Sequence, residues 1–255
     1  VKIADVVAVA NNDLLNFVVE EVGEVSVDEK QSLSAKVLKA IVETEPDKIE
    51  EIDNNNKNNL IENSVETAKK QKEGETVDDQ VGDTFTLDYT KIITDIVTTS
   101  DSDTATKILE EVDNLETETD LKLDFLDELE DKDLDILSAA SNKNDEILTN
   151  LVNDAVENIK DEDDKEKLTE ILKDSEGTIT DKIIESGKDS EKNKEIVSEA
   201  LVEVAEEDLD KVLDVLDNNE EADETIQVLK DKIENEEAVT VEDFEEVFKE
   251  NVSPN

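Results

Sequence analysis

The chain contains no cysteine, histidine, arginine, methionine or tryptophan. Glycine occurs five times, proline twice, phenylalanine five times and tyrosine once in 255 residues. Each absence removes a chemistry. Without His or Cys there is no nucleophile–imidazole triad, no thiol catalysis, no zinc finger and no disulfide. Without Arg there is no bidentate clamp on phosphate or carboxylate and no arginine finger. No apolar run approaches the roughly 20 residues that a membrane-spanning helix needs, so no membrane insertion is expected. No glycine-rich dinucleotide loop, P-loop or nucleophile elbow occurs. Paired carboxylates exist everywhere and therefore single out nothing. A sugar-cleaving cleft would also need aromatic platforms, which are nearly missing. The chain is expected not to be an enzyme and to require no cofactor.

What is present is acid. Asp and Glu number 75 against 26 lysines, giving a formal net charge of −49. Such a surface repels nucleic acid and anionic lipid, so neither is an expected partner. High charge with low hydropathy is a mark of disorder. Here Leu, Ile, Val and Phe together also number 75, above the level at which burial fails to offset ordering entropy. Breakers are scarce, and the apolar residues recur with the helical period. Leu33, Val37, Leu38, Ile41 and Val42 line one helix face. Ile147, Leu148, Leu151, Val152, Ala155 and Val156 line another, and Ile196, Val197, Ala200, Leu201, Val204 and Ala205 a third. Strand-like alternation is weak and confined to Thr84–Leu87.

The expected fold is all-α, with a thin aliphatic core. Such a core suits an α-solenoid-like array of degenerate two- to three-helix repeats. Three stretches share an order of elements: Leu33–Lys69, Leu121–Ile159 and Glu195–Ile233. Each reads as a helix, a short second helix, an Asn-rich turn and a further helix. The turns are Asp53-Asn54-Asn55-Asn56, Ser141-Asn142-Lys143-Asn144 and Asp217-Asn218-Asn219. The units resemble those of HEAT and armadillo arrays in architecture, and that resemblance implies a protein-binding concave surface. Ser26 with Glu29 forms a capping box, and Thr76, Thr117 and Thr240 precede Asp79, Asp120 and Asp243 at the same spacing. Unit starts fall near 26, 76, 117, 164, 190 and 240, with a short unit around Lys165–Lys188. Three helical segments follow, 1–75, 76–163 and 164–255, the last ending in a frayed tail at Asn251–Asn255. Lys70–Leu87 reads as a linker. A first residue of Val suggests a processed protein or a piece of a longer one.

The acidic turns fail the EF-hand pattern. Asp53-Asn54-Asn55-Asn56-Lys57 and Asp101-Ser102-Asp103-Thr104-Ala105 both lack its fifth-position acid or amide. The dense run Asp161, Glu162, Asp163 and Asp164 is the candidate for a loose, low-affinity Ca²⁺ site. It also suits the positive end of a helix dipole. Counter-cations, Ca²⁺ among them, would relieve the self-repulsion.

Composition also speaks to setting: absence of sulfur economises on it and resists oxidation. The expected function is a structural or adhesive, protein-binding module, secreted or on a cell or particle surface. It would be cation-stabilised and able to assemble with itself into an oligomer or filament. Two alternatives compete, an acidic DNA mimic or decoy for a basic protein, and a low-affinity calcium buffer. A cytoplasmic setting is also compatible.

Overall fold

The computed structural model describes residues 6, 10–23, 31–44, 46–49, 51–73, 88–100, 102–115, 119–130, 142–174, 177–217, 227, 229–230, 232 and 238–245. Among the described residues the protein is all-α, with twelve bounded α-helices, one 3-10 turn and no strand. Helices α1 (Asn12–Gly23), α2 (Gln31–Thr44) and α3 (Asn54–Lys72) come first, with the 3-10 turn Pro46–Ile49 between the last two. Then follow α4 (Tyr89–Thr99), α5 (Ser102–Asp113), α6 (Thr119–Glu130) and α7 (Asn142–Glu157). The rest are α8 (Glu162–Asp174), α9 (Thr178–Ser186), α10 (Glu191–Glu207), α11 (Leu209–Asp217) and α12 (Val241–Glu245). No helix is long and apolar enough to cross a membrane, among the residues described.

Helix starts are written locally. The Ser190 side chain accepts the Asn193 N–H at 3.1 Å, and Asp88 accepts that of Lys91 at 3.2 Å. Asn11 and Asp208 do the same for Leu14 and Lys211. Thr240 makes half of the expected box: its N–H donates to Asp243 Oδ2 at 2.7 Å, but its hydroxyl donates to the same atom at 2.9 Å instead of accepting the Asp243 N–H. Gly177 precedes α9 with φ 152°, a region that favours a residue without Cβ. The Ser26, Thr76 and Thr117 caps, the Thr84–Leu87 spot and the tail at Asn251–Asn255 lie outside the described residues.

The chain divides into two compact units, Val1–Leu121 with Lys132–Leu148, and Lys122–Asp131 with Thr149–Asn255. In the first, α3 packs on α1, α2, α4 and α5, while α2 also packs on α4. The stripe Leu60, Ile61, Val65 and Ala68 of α3 is buried among them. Each such Leu or Ile contributes about 1.5–3 kcal/mol by leaving water. In the second unit, α10 packs on α8, α9, α11 and α12. In both, a helix meets its neighbour and its next-but-one neighbour. Some buried hydroxyls find partners within their own helix, while those of Ser34 and Ser198 have none among the described residues. Ser64 donates to the Leu60 carbonyl at 2.6 Å, and Thr94 to that of Thr90 at 2.8 Å.

Three local readings are corrected. Two of the three Asn-rich runs open helices instead of forming turns. Asn54–Asn56 form the first turn of α3, after Asp53, and Asn142–Asn144 open α7. The first turn of a helix has no intrahelical use for its N–H groups, so Asn is tolerated there. The third run reaches Asn218 and Asn219, outside the described residues. The short second helix expected within Leu33–Lys69 is a single 3-10 turn, with Pro46 as its first residue. Lys70–Lys72 are the last turn of α3 rather than linker, and what lies between Glu73 and Asp88 is outside the described residues.

Candidate functional site

The run Asp161, Glu162, Asp163 and Asp164 sits at the start of α8. Asp161 occupies the cap position and its Oδ1 accepts the Asp164 N–H at 3.0 Å. Asp161, Glu162 and Asp163 are exposed, while Asp164 is buried. Burial, and then the Asp161 charge, hold the Asp164 carboxyl above the usual carboxylate range, against a hydrogen bond from the Lys160 backbone. Among the described residues, no three His, Cys, Asp or Glu gather as metal ligands.

A carboxyl with a raised folded-state pKa binds its proton more tightly when folded. Its charge therefore costs stability at neutral pH, and the cost fades as pH falls through the folded value toward about 3.9. Asp243 runs the other way. Burial alone would raise its pKa, but Lys232 and the Thr240 N–H and hydroxyl outweigh that and lower it. Its stabilisation is present above about 3.9 and lost as pH falls through the lower folded value. Asp164→Asn is accordingly expected to stabilise the protein at pH 7, with a gain that shrinks on acidification. Asp243→Asn is expected to destabilise it at pH 7, with a loss that shrinks in strong acid. Urea midpoints across pH check both signs.

The second unit also carries a ladder between α8 and α10. Lys165 Nζ donates to Glu199 Oε2 at 2.5 Å, and Thr169 Oγ1 to Glu203 Oε2 at 3.1 Å. Lys173 Nζ meets Glu207 Oε2 at 2.8 Å. The rungs are four residues apart on each helix, and the offset along the chain is 34 at each. A constant offset means the two helices run parallel and in register. The Glu199 and Glu207 hydrogen bonds hold the Lys165 and Lys173 ammonium groups above the ordinary lysine range. The stabilisation from those two pairs is thus present below about 10.4 and lost as pH rises through the folded values.

A scan against family models finds no match, and neither do comparisons with curated proteins and solved structures. What the arrangement can do is therefore read from its own residues.

Lys122 is fully buried, 1% exposed, between Leu121 and Leu123 on α6. Its ammonium is paired with the Asp154 carboxylate of α7. Asp154 Oδ1 also accepts from Asn158 at 3.0 Å. Asp154 is 40% exposed, so water takes up part of what its removal leaves. Asp154→Asn is expected to cost about 1 kcal/mol. Lys122→Met, which removes charge and keeps volume, should cost under about 1.5 kcal/mol. Denaturant titration reads both.

The first unit holds a groove of about 280 Å³ between the start of α3 and α5. Lys57 and Lys107 line it, opposed by Asp103 and Glu110, with Asn54, Asn58 and Thr106 completing the wall. Lys107 is already paired with Glu111, and with Glu62 at 3.8 Å. A wall of polar residues with balanced charge is a solvated groove, unlike the mostly apolar pockets that hold small ligands. The ladder and Lys122 were not singled out from sequence. The matching four-residue spacing of 165, 169, 173 and 199, 203, 207 was the available signal for the first. A lysine between two leucines was the signal for the second.

Proposed function

We propose that this chain is a non-enzymatic interaction scaffold. It stacks helical units into an array and turns a dense carboxylate surface outward to engage other proteins. One observation supports the reading above the rest: the constant 34-residue offset between α8 and α10. When a unit repeats, equivalent helices of successive units lie parallel and one period apart. The next-but-one packing of α1 with α3, α2 with α4 and α3 with α5 follows the same logic. The missing His, Cys and Arg support the absence of catalysis. The lack of sulfur and the charge support a saline setting outside the cell or on a particle surface. There, cations would screen the surface and permit copies to assemble. Light scattering after size exclusion, in seawater-like salt with and without calcium, tests assembly, with retention on immobilised proteins as a second readout. A chain that stays monomeric and adheres to nothing under all conditions contradicts the proposal.

An acidic decoy is the second reading. Exposed Glu162, Glu166 and Glu170 form an i, i+4, i+8 row on α8. Its carboxylates are spaced about 6 Å along the axis, roughly the spacing of every second phosphate on one DNA strand at about 3.4 Å each. Capture of basic DNA-binding proteins that free DNA releases would favour the decoy.

A further inference from the structure

Helix α1 has two unlike faces. Leu15, Val19 and Val22 are buried, and α1 packs on α2 and α3. On the other side Leu14 is 44% and Phe17 57% exposed. Among the described residues they are the only large apolar side chains that open to solvent. A single exposed leucine would need no explanation. Here a leucine and one of the chain's few aromatics stand three residues apart, one above the other on the helix. Asp13 lies one turn before Phe17, and Glu20 and Glu21 lie one turn after it. All three are exposed, and α1 contains no lysine. The face is an apolar anchor ringed by carboxylates.

We propose that this face docks a cationic, amphipathic segment of another protein. Charge complementarity chooses the occupant. A second copy docked here would bring like carboxylates against Asp13, Glu20 and Glu21 at contact distance, inside the screening length even in salt. Nucleic acid and anionic lipid are repelled likewise. A lysine- or arginine-rich segment with apolar residues at helical spacing meets both demands. Its apolar side chains cover Leu14 and Phe17, and its ammonium or guanidinium groups meet Asp13, Glu20 and Glu21. This names a partner class for the scaffold proposed above and rests on that reading.

The test uses the full chain and a fluorescein-labelled peptide of leucine and lysine patterned as an amphipathic helix. A scrambled peptide of the same composition is the control. Fluorescence anisotropy should show the patterned peptide binding at least about ten-fold tighter than the scrambled one. Leu14→Ser with Phe17→Ser should erase that preference while circular dichroism stays unchanged. Glu20→Gln with Glu21→Gln should weaken binding of the patterned peptide and flatten its salt dependence. Equal binding of the two peptides to the wild type overturns the proposal. So does a preference that survives Leu14→Ser with Phe17→Ser. Wild-type dimers that this double substitution dissolves would put a second copy on the face and also overturn it. The scaffold reading is tested separately by light scattering, so one can fail while the other stands.

Discussion

Lowering ionic strength from about 1 M to roughly 10 mM is expected to lower the melting temperature by about 10 °C or more. The reason lies in the uncompensated charge, 75 acids against 26 lysines. Two like charges about 10 Å apart repel by roughly 0.4 kcal/mol even in bulk water. On helices, like charges at i, i+4 cost about 0.2–0.5 kcal/mol a pair. The row Glu162, Glu166 and Glu170 on α8 is one of several such rows. Unfolding separates these charges, so repulsion acts mainly on the native state. At about 10 mM the screening length is near 30 Å and the whole unit is felt; at about 1 M it is near 3 Å. A difference of a few kcal/mol corresponds to about 10 °C in a chain of this size, since each is worth roughly 2–4 °C. Thermal unfolding followed by circular dichroism reads this directly. Calcium and magnesium at equal ionic strength should act alike where cations act by screening alone. A calcium increment well above magnesium would point instead to a specific site, with Asp161–Asp164 the first place to look.

Phe125→Ala is expected to destabilise the second unit by about 3–5 kcal/mol. Phe125 is 0% exposed on α6, flanked by the buried Leu121, Leu126 and Leu129. The core is built almost wholly from Leu, Ile, Val and Ala, with Tyr89, Phe125 and Phe244 its buried aromatics among the described residues. Small aliphatics on fixed helices cannot collapse far into the space a ring leaves, so the cavity term adds to the lost transfer energy. Phe17→Ala removes the same side chain from a site that is 57% exposed. It should change stability by less than about 0.5 kcal/mol. Urea titration of the two variants reads the contrast, and equal losses would contradict the burial assigned to them.

The same contrast shows what sequence carries. The face of α10 predicted from Ile196, Val197, Ala200, Leu201, Val204 and Ala205 is buried at all six positions. That of α7 from Ile147 to Val156 is buried likewise. Periodicity reports which side of a helix avoids water, and that was enough for an all-α fold. It does not report what covers that side. Hence the parallel pairing of α8 with α10 was not legible, although both carry polar residues at the same four-residue spacing. Nor was Phe17 separable from Phe125, since both sit among leucines and acids. The Asn runs misled because Asn suits both turns and helix starts, and only the backbone says which. The acidic run at Asp161 was legible as a helix start, but the burial of Asp164 within it was not.

The most direct test of the proposed repeat is the coupling between positions 165 and 199. Lys165→Glu faces Glu199 with a like charge, and Glu199→Lys restores an opposite pair across the same rung. A double-mutant cycle from urea unfolding should give a coupling of about 0.5–1 kcal/mol favouring the swapped pair. The cycle of Lys165→Glu with Glu206→Lys, an exposed acid on α10 outside the rungs, should give less than about 0.3 kcal/mol. Equal couplings in the two cycles would contradict the register of α8 on α10, and with it the repeat on which the scaffold rests.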